Sequence, residues 1–135
     1  MTLRVTKSTG EICELCVWLA DESDERSRGL MGVSDLGGPA GMAFAYATPT
    51  DGQFFMFQTP KPLSIAWFSL SGEFIGSADM EPCVDEPRDD CLRYSPGGEF
   101  ALAVEVPQGR LAEHGLEPGS TAEVLFDTEE ITCPD

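Results

Sequence analysis

Basic residues are scarce in this sequence. Eight Lys and Arg face 24 Asp and Glu, for a formal net charge of −16 at pH 7. Lys7 and Lys61 are the only lysines and His114 is the only histidine. A chain so poor in cations repels polyanions, which argues against nucleic acid and anionic membrane surfaces as partners. His114 stands just before Gly115 at the end of a short predicted helix, where a cation complements the dipole, and no nucleophile motif surrounds it. No apolar run reaches the ~18–20 residues of a membrane-spanning helix, so direct membrane insertion is not expected. The opening Met-Thr-Leu-Arg-Val is not an apolar secretory segment. Internal repeats, linkers and a phosphate-cradling Gly loop followed by Lys are all missing. No catalytic residue and no cofactor is therefore assigned.

What is present suits one compact, turn-rich domain over residues 1–135, with 41% hydrophobic residues, 14 Gly and 10 Pro spread along the chain. The acids gather at 21–25, 79–90 and 123–135 and read as solvated faces. Those at 79–90 do not match the spacing of a helix-loop-helix calcium site. Strands are predicted at 3–6, 12–19, 42–46, 53–58, 63–70, 73–78, 100–106 and 122–126, with Ser71-Gly72 as a hairpin turn. Leu63, Ile65 and Trp67 alternate with Ala66, Phe68 and Leu70, so the fifth strand should be buried on both faces. Phe100, Leu102, Val104 and Val106 alternate with Ala101, Ala103 and Glu105, which predicts one buried and one exposed face. A helix is expected at 21–31, acidic at its start and with Arg26 and Arg28 near its end, and a shorter one at 109–114. The expected fold is mainly β, barrel-like or a sandwich, with one or two short helices.

Five cysteines add a constraint. Cys83 and Cys91 flank an acidic segment containing Pro87, and a bridge between them would staple a polar loop with little core of its own, adding about 2–3 kcal/mol by the chain-entropy model. Such a bridge implies an oxidising compartment, extracellular or in the cell envelope, with the cytoplasm as the runner-up. Cys13 and Cys16 form a Cys-x-x-Cys, yet they fall on a predicted strand, where an offset of three turns them to opposite faces. That argues against a redox pair and against a shared zinc site. One of the two is expected in the core, and Cys13 is a candidate to pair with Cys133.

A broken run in the first half carries a family signature. Arg28-Gly29-Leu30-Met31 is followed by Gly41-Met42-Ala43-Phe44, then by Phe54-Phe55-Met56-Phe57-Gln58-Thr59 and Pro62-Leu63-Ser64. Tyr94 and the stretch 101–109 follow later, and Gly119 precedes Ser120. This ordered set resembles the bacterial and archaeal domain of unknown function 192 family over about residues 16–125. That family's pattern is Arg-x-Gly-Leu-Met, Gly-Met-Leu-Phe, Phe-Trp-Met-Lys-Asn-Thr, Pro-Leu-Asp, then a Tyr, an Ala-Leu-Glu-x-x-x-Gly segment and a Gly-Asp turn. Here its Trp, Lys and Asn are Phe55, Phe57 and Gln58, and its two Asp are Ser64 and Ser120. The resemblance implies a compact β-rich fold, no established reaction, and often an exported or envelope-anchored protein with a signal or lipoprotein segment, which would then precede Met1.

Within this run Arg28, Gln58 and Thr59 are the candidate ligand-binding residues, because a guanidinium, an amide and a hydroxyl can hold a carboxylate or a sugar by directed hydrogen bonds. The bland alternative is that they satisfy carbonyls and end a strand. Met31, Met42 and Met56 offer thioethers, soft ligands that suit Cu(I), but they sit among Leu30, Phe44, Phe54 and Phe55, where methionine fills core gaps. The leading expectation is an exported binding or accessory module for a small molecule, a saccharide or a protein. A hydrolase or carbohydrate-active enzyme using two carboxylates and a soft-metal carrier are the alternatives.

Overall fold

The computed structural model describes residues 1–125. Its strands are β1 (Thr2–Thr6), β2 (Ile12–Ala20), β3 (Gly41–Thr50), β4 (Leu63–Phe68), β5 (Phe74–Met80), β6 (Phe100–Pro107) and β7 (Thr121–Leu125). They form one sheet in the order β5-β4-β6-β3-β2-β1-β7. One helix, α1 (Ser23–Arg28), and two 3-10 turns, Arg88–Asp90 and Ala112–His114, accompany it among the described residues. The mainly-β, barrel-like expectation therefore holds. The sheet curls until its edge strands meet at one end, where the Phe74 N–H donates to the Ser120 carbonyl (3.0 Å) and the Ala122 N–H to the Gly72 carbonyl (2.8 Å). Gly72 has φ +92°, and a Cβ there would lie 2.7 Å from the Ala122 oxygen, so this closure requires glycine.

Alternation along the strands fills two cores. The concave side holds Leu3, Val5, Val17, Phe68, Val104 and Val106. The outer side holds Phe44, Ile65, Trp67, Phe100 and Ala103 under a covering layer that brings in Leu30, Met56, Cys83 and Cys91. β4 is buried on both faces, as its pattern predicts. β6 is too, which corrects the expected exposed face: Ala101, Ala103 and Glu105 are all buried, Ala103 in the outer core and Glu105 beneath the covering layer.

The layer exists because of one strand pairing. All neighbours in the sheet are antiparallel except β2 and β3, which run parallel with Val17 opposite Gly41. A parallel pair needs a crossover connection, not a hairpin. Residues 21–40 make that crossover and pack on the outer face through Leu30, Val33 and Leu36. α1 occupies only part of the predicted 21–31. It starts with a capping box between Glu22 and Glu25 and ends at Gly29, whose N–H donates to the Glu25 carbonyl.

The segment 53–58 is not a ladder strand. It crosses over the sheet and pairs only at isolated points, Phe57 with Cys83 of the disulfide loop and Phe54 with Tyr94 just beyond it. Its period-two pattern marks a covering strip, with Met56 buried beneath. Cys83 and Cys91 form the expected disulfide, their Cα atoms 5.9 Å apart. Cys13 carries a free thiol on the concave side of β2, with Leu15 and Val17, while Cys16 points to the other face. The free thiol overturns the suggested Cys13–Cys133 pairing: Cys16, not Cys13, is the disulfide-bonded member of the Cys-x-x-Cys, and Cys133 lies outside the described residues.

β3 approaches β6 most tightly at Gly41. A Cβ there would meet the Glu105 carbonyl oxygen at 2.0 Å. Gly41→Ala must push the two strands apart at the sheet's centre and is expected to cost about 3 kcal/mol or more, read as a lower urea midpoint.

Candidate functional site

Between the covering layer and the outer face lies an open cavity of about 410 Å³. The crossover supplies Arg26 and Arg28 from α1 and Met31 after it; β3 supplies Phe44 and Tyr46. The 53–59 strip supplies Phe54, Phe55 and Thr59, the disulfide loop Arg88, and β6 Glu105.

The guanidinium groups set its electrostatics. Arg4, Lys7 and Arg110 form ion pairs with Glu14, Glu11 and Glu113 elsewhere on the molecule. Arg26, Arg28, Arg88 and Arg93 form none among the described residues, in a chain with three acids per base. Arg26 lies 4.6 Å above the Tyr46 ring and donates through Nη1 to the carbonyls of Asp21 (2.7 Å) and Ala45 (3.1 Å). Arg88 caps the stacked rings of Phe55 and Phe57, and Arg93 sits 4.3 Å over Phe55. Cation–π contact holds these cations in place and leaves N–H donors for an anion.

Glu105 has the opposite character. It is 4% exposed, lies between Met42 of β3 and Ile65 of β4, and has no hydrogen bond or ion pair among the described residues. Burial alone pushes its carboxyl up to about 8. The Tyr46 hydroxyl is also raised, by burial first, with Arg26 opposing and Glu105 adding to the shift. At neutral pH the cavity thus presents guanidinium groups and a largely protonated acid.

Two of the three residues singled out from sequence, Arg28 and Thr59, line this cavity, and Gln58 does not. Thr59 is buried, its hydroxyl donating to the Phe57 carbonyl at 3.3 Å. Gln58 is exposed and takes φ +54°; its N–H donates to Cys83 and its carbonyl accepts the Gly32 N–H at 2.7 Å. It ties the crossover to the strip. Met31 and Met56 line the cavity, whereas Met42 lines a neighbouring groove with Trp18 and Leu36. Ser64, which stands at the family's Asp position, is buried away from the cavity, donating to Asp79 (2.6 Å) and accepting the Gly109 N–H (3.0 Å). The residues sequence reasoning missed are Glu105, Tyr46, Arg26 and Arg88. A lone acid inside the apolar run 100–106 was the available signal for Glu105. For the arginines it was their rarity.

A family model described as "Uncharacterized ACR", DUF192, matches residues 4–124. A crystal structure of a protein of unknown function from Novosphingobium aromaticivorans is 29% identical, with a TM-score of 0.74, covering 92% of this chain and 84% of that one. A second, from Sinorhizobium meliloti and described as a candidate transcription regulator, is 21% identical, with a TM-score of 0.76, covering 90% and 91%. That likeness concerns the fold alone. No curated protein matches the sequence significantly.

Two outcomes follow from this geometry. A carboxyl raised from 4.5 to about 8 by folding stabilises the native state fully below pH 4.5 and loses that contribution as pH rises to 8. Glu105→Gln should match the wild type in stability at pH 4 and exceed it at pH 9 by about 4 kcal/mol, measured by urea unfolding at both values. The double substitution Cys83→Ala with Cys91→Ala should lower stability by about 2–3 kcal/mol by the same method.

Proposed function

This chain belongs to the DUF192 family, and we propose that it is a non-enzymatic binding module for a small organic anion. The observation that carries the reading is the set of arginines without carboxylate partners around one cavity. In a molecule of net charge −16, a guanidinium without an acid is held for something else, and planar donors in a partly apolar cavity suit a carboxylate or phosphate ester. The rings of Phe44, Phe54 and Tyr46 give the body of such a ligand a flat apolar surface. Arg28 and Thr59 keep their roles as binding residues, and Gln58 acts by holding the turn.

The disulfide at Cys83–Cys91 supports export or residence in the cell envelope, where such bridges persist. No helix among the described residues is long and apolar enough to cross a membrane. The net charge speaks against nucleic acid as the partner, so the regulator description of the Sinorhizobium protein is not carried to this chain. A hydrolase with two facing carboxylates has little support, since Glu105 is the one buried acid among the described residues. Copper carriage has less, because Met56 is packed in the outer core and Met42 opens to a different groove.

Calorimetric titration with D-glucuronate and benzoate, and with their neutral counterparts methyl glucoside and benzyl alcohol, tests the reading. An anion should bind and its neutral counterpart should not. Arg28→Ala and Arg88→Ala should each weaken the anion by about tenfold or more, the range for a charged hydrogen bond. Equal binding of the neutral compounds, or arginine variants with wild-type affinity, would sink it.

A further inference from the structure

Glu105 is the polar group this cavity leaves unanswered. It is more than nine-tenths buried, faces the cavity, and has no partner among the described residues. An ionised carboxylate in that position, walled by Phe44, Phe54 and Met56, loses most of its hydration and gains no protein partner in return. A protonated one carries an O–H donor that also lacks an acceptor, and only something entering the cavity can supply it. The charged and titratable groups that share the cavity are Arg26 and Arg28 from α1, Tyr46 from β3 and Arg88 from the disulfide loop. β4 presents Leu63, Ile65 and Trp67 to this side, and the 53–59 strip adds the neutral Gln53 and Thr59. All the fixed positive charge is therefore arginine, which does not titrate, and Tyr46 has its titration pushed upward. Glu105 is left as the one cavity group that changes charge between pH 6 and pH 9.5.

Resting on the anion-binding reading above, the geometry points to Glu105 as a proton-linked selectivity residue: its neutral carboxyl donates a hydrogen bond to one oxygen of the bound oxyanion, so that each anion is captured with a proton on Glu105 and released when that proton leaves. The ligand class is a carboxylate or phosphate ester carried on a ring. The guanidinium groups hold its charge at the rim, and the acid selects an acceptor oxygen at the wall. Loss of the proton replaces a donor by a like charge in an apolar setting, where repulsion is poorly screened. A ligand that brought an ammonium group to an ionised Glu105 would meet three guanidiniums, which disfavours that arrangement.

The test is calorimetry of the full chain with benzoate and D-glucuronate, both ionised throughout, from pH 6 to pH 9.5. Wild-type affinity should be flat to about pH 7 and fall by about tenfold or more by pH 9.5. At pH 9, comparison of two buffers with different ionisation enthalpies should show uptake of close to one proton per anion bound. Glu105→Gln, which stays neutral, should show the same affinity at pH 6 and pH 9.5, whatever its value, and take up no proton on binding. Anion binding with no pH dependence and no proton uptake overturns the inference while leaving the binding reading intact. A folded Glu105→Gln variant that keeps the wild-type fall in affinity or its proton uptake overturns it too, by assigning the proton to another group. No anion binding at any pH removes both. Should the variant fail to fold, the wild-type proton uptake decides alone.

Discussion

The parallel pairing of β2 with β3 is the constraint on which the rest depends. Every other junction in the sheet is antiparallel, and a sheet of hairpins has no need of a second layer. Running β3 alongside β2 obliges the chain to travel back over the sheet between Ala20 and Gly41. That return path lays α1 and the loop after it across the outer face. It helps to bury the second face of β6, and with it Glu105. The same approach of backbones makes Gly41 obligatory, because β3 enters the sheet against the Glu105 carbonyl.

A layer made of loops must be tied down, since it has no ladder of its own. Three ties do this. The Cys83–Cys91 bridge shortens the 83–91 excursion, and backbone bonds link Gln58 to Cys83 and Phe54 to Tyr94. The Gly32 N–H reaches the Gln58 carbonyl, so crossover, strip and disulfide loop form one connected cover. Gln58 adopts φ +54° to do so, a conformation that costs a non-glycine residue of order 1–3 kcal/mol and persists only where its surroundings demand it. The tied segments in turn carry the guanidiniums: Arg26 and Arg28 on the crossover and Arg88 on the disulfide loop.

The strands and their two-sided core were legible because period-two alternation survives any arrangement of neighbours. Leu63 to Phe68 announced a central strand and is one. The disulfide was legible from an acidic loop with nothing else to order it. The strip at 53–58 was misread because a chain covering a sheet and a chain within one show the same alternation; only the location of its hydrogen-bond partners differs, and that is a tertiary fact. The family pattern carried a hint here, since it places Asn where this chain has Gln58, and Asn is a residue that tolerates the left-handed region. Glu105 was assigned to solvent for a similar reason. Its exposure depends on residues 21–62 folding back over β6, and no local window contains that.

The unpaired arginines need a physical explanation in a chain with a threefold excess of acid, and α1 supplies it. Its own acids lie next to Arg26 and Arg28 in sequence, yet they are turned the other way. One Glu25 carboxylate oxygen accepts the backbone N–H groups of Asp21 and Glu22, and Asp24 accepts that of Glu25. These bonds satisfy donors that every helix start leaves open, and they place negative charge where the dipole favours it. The helix is only six residues long, so its two ends are less than two turns apart, and capping one end is what keeps acid away from the other. The arginines of the last turn are then free to face the cavity. The same few residues thus start the helix, direct its acids to the backbone and direct its cations to the cavity, which is why Arg26 and Arg28 reach it without a carboxylate partner despite the excess of acid.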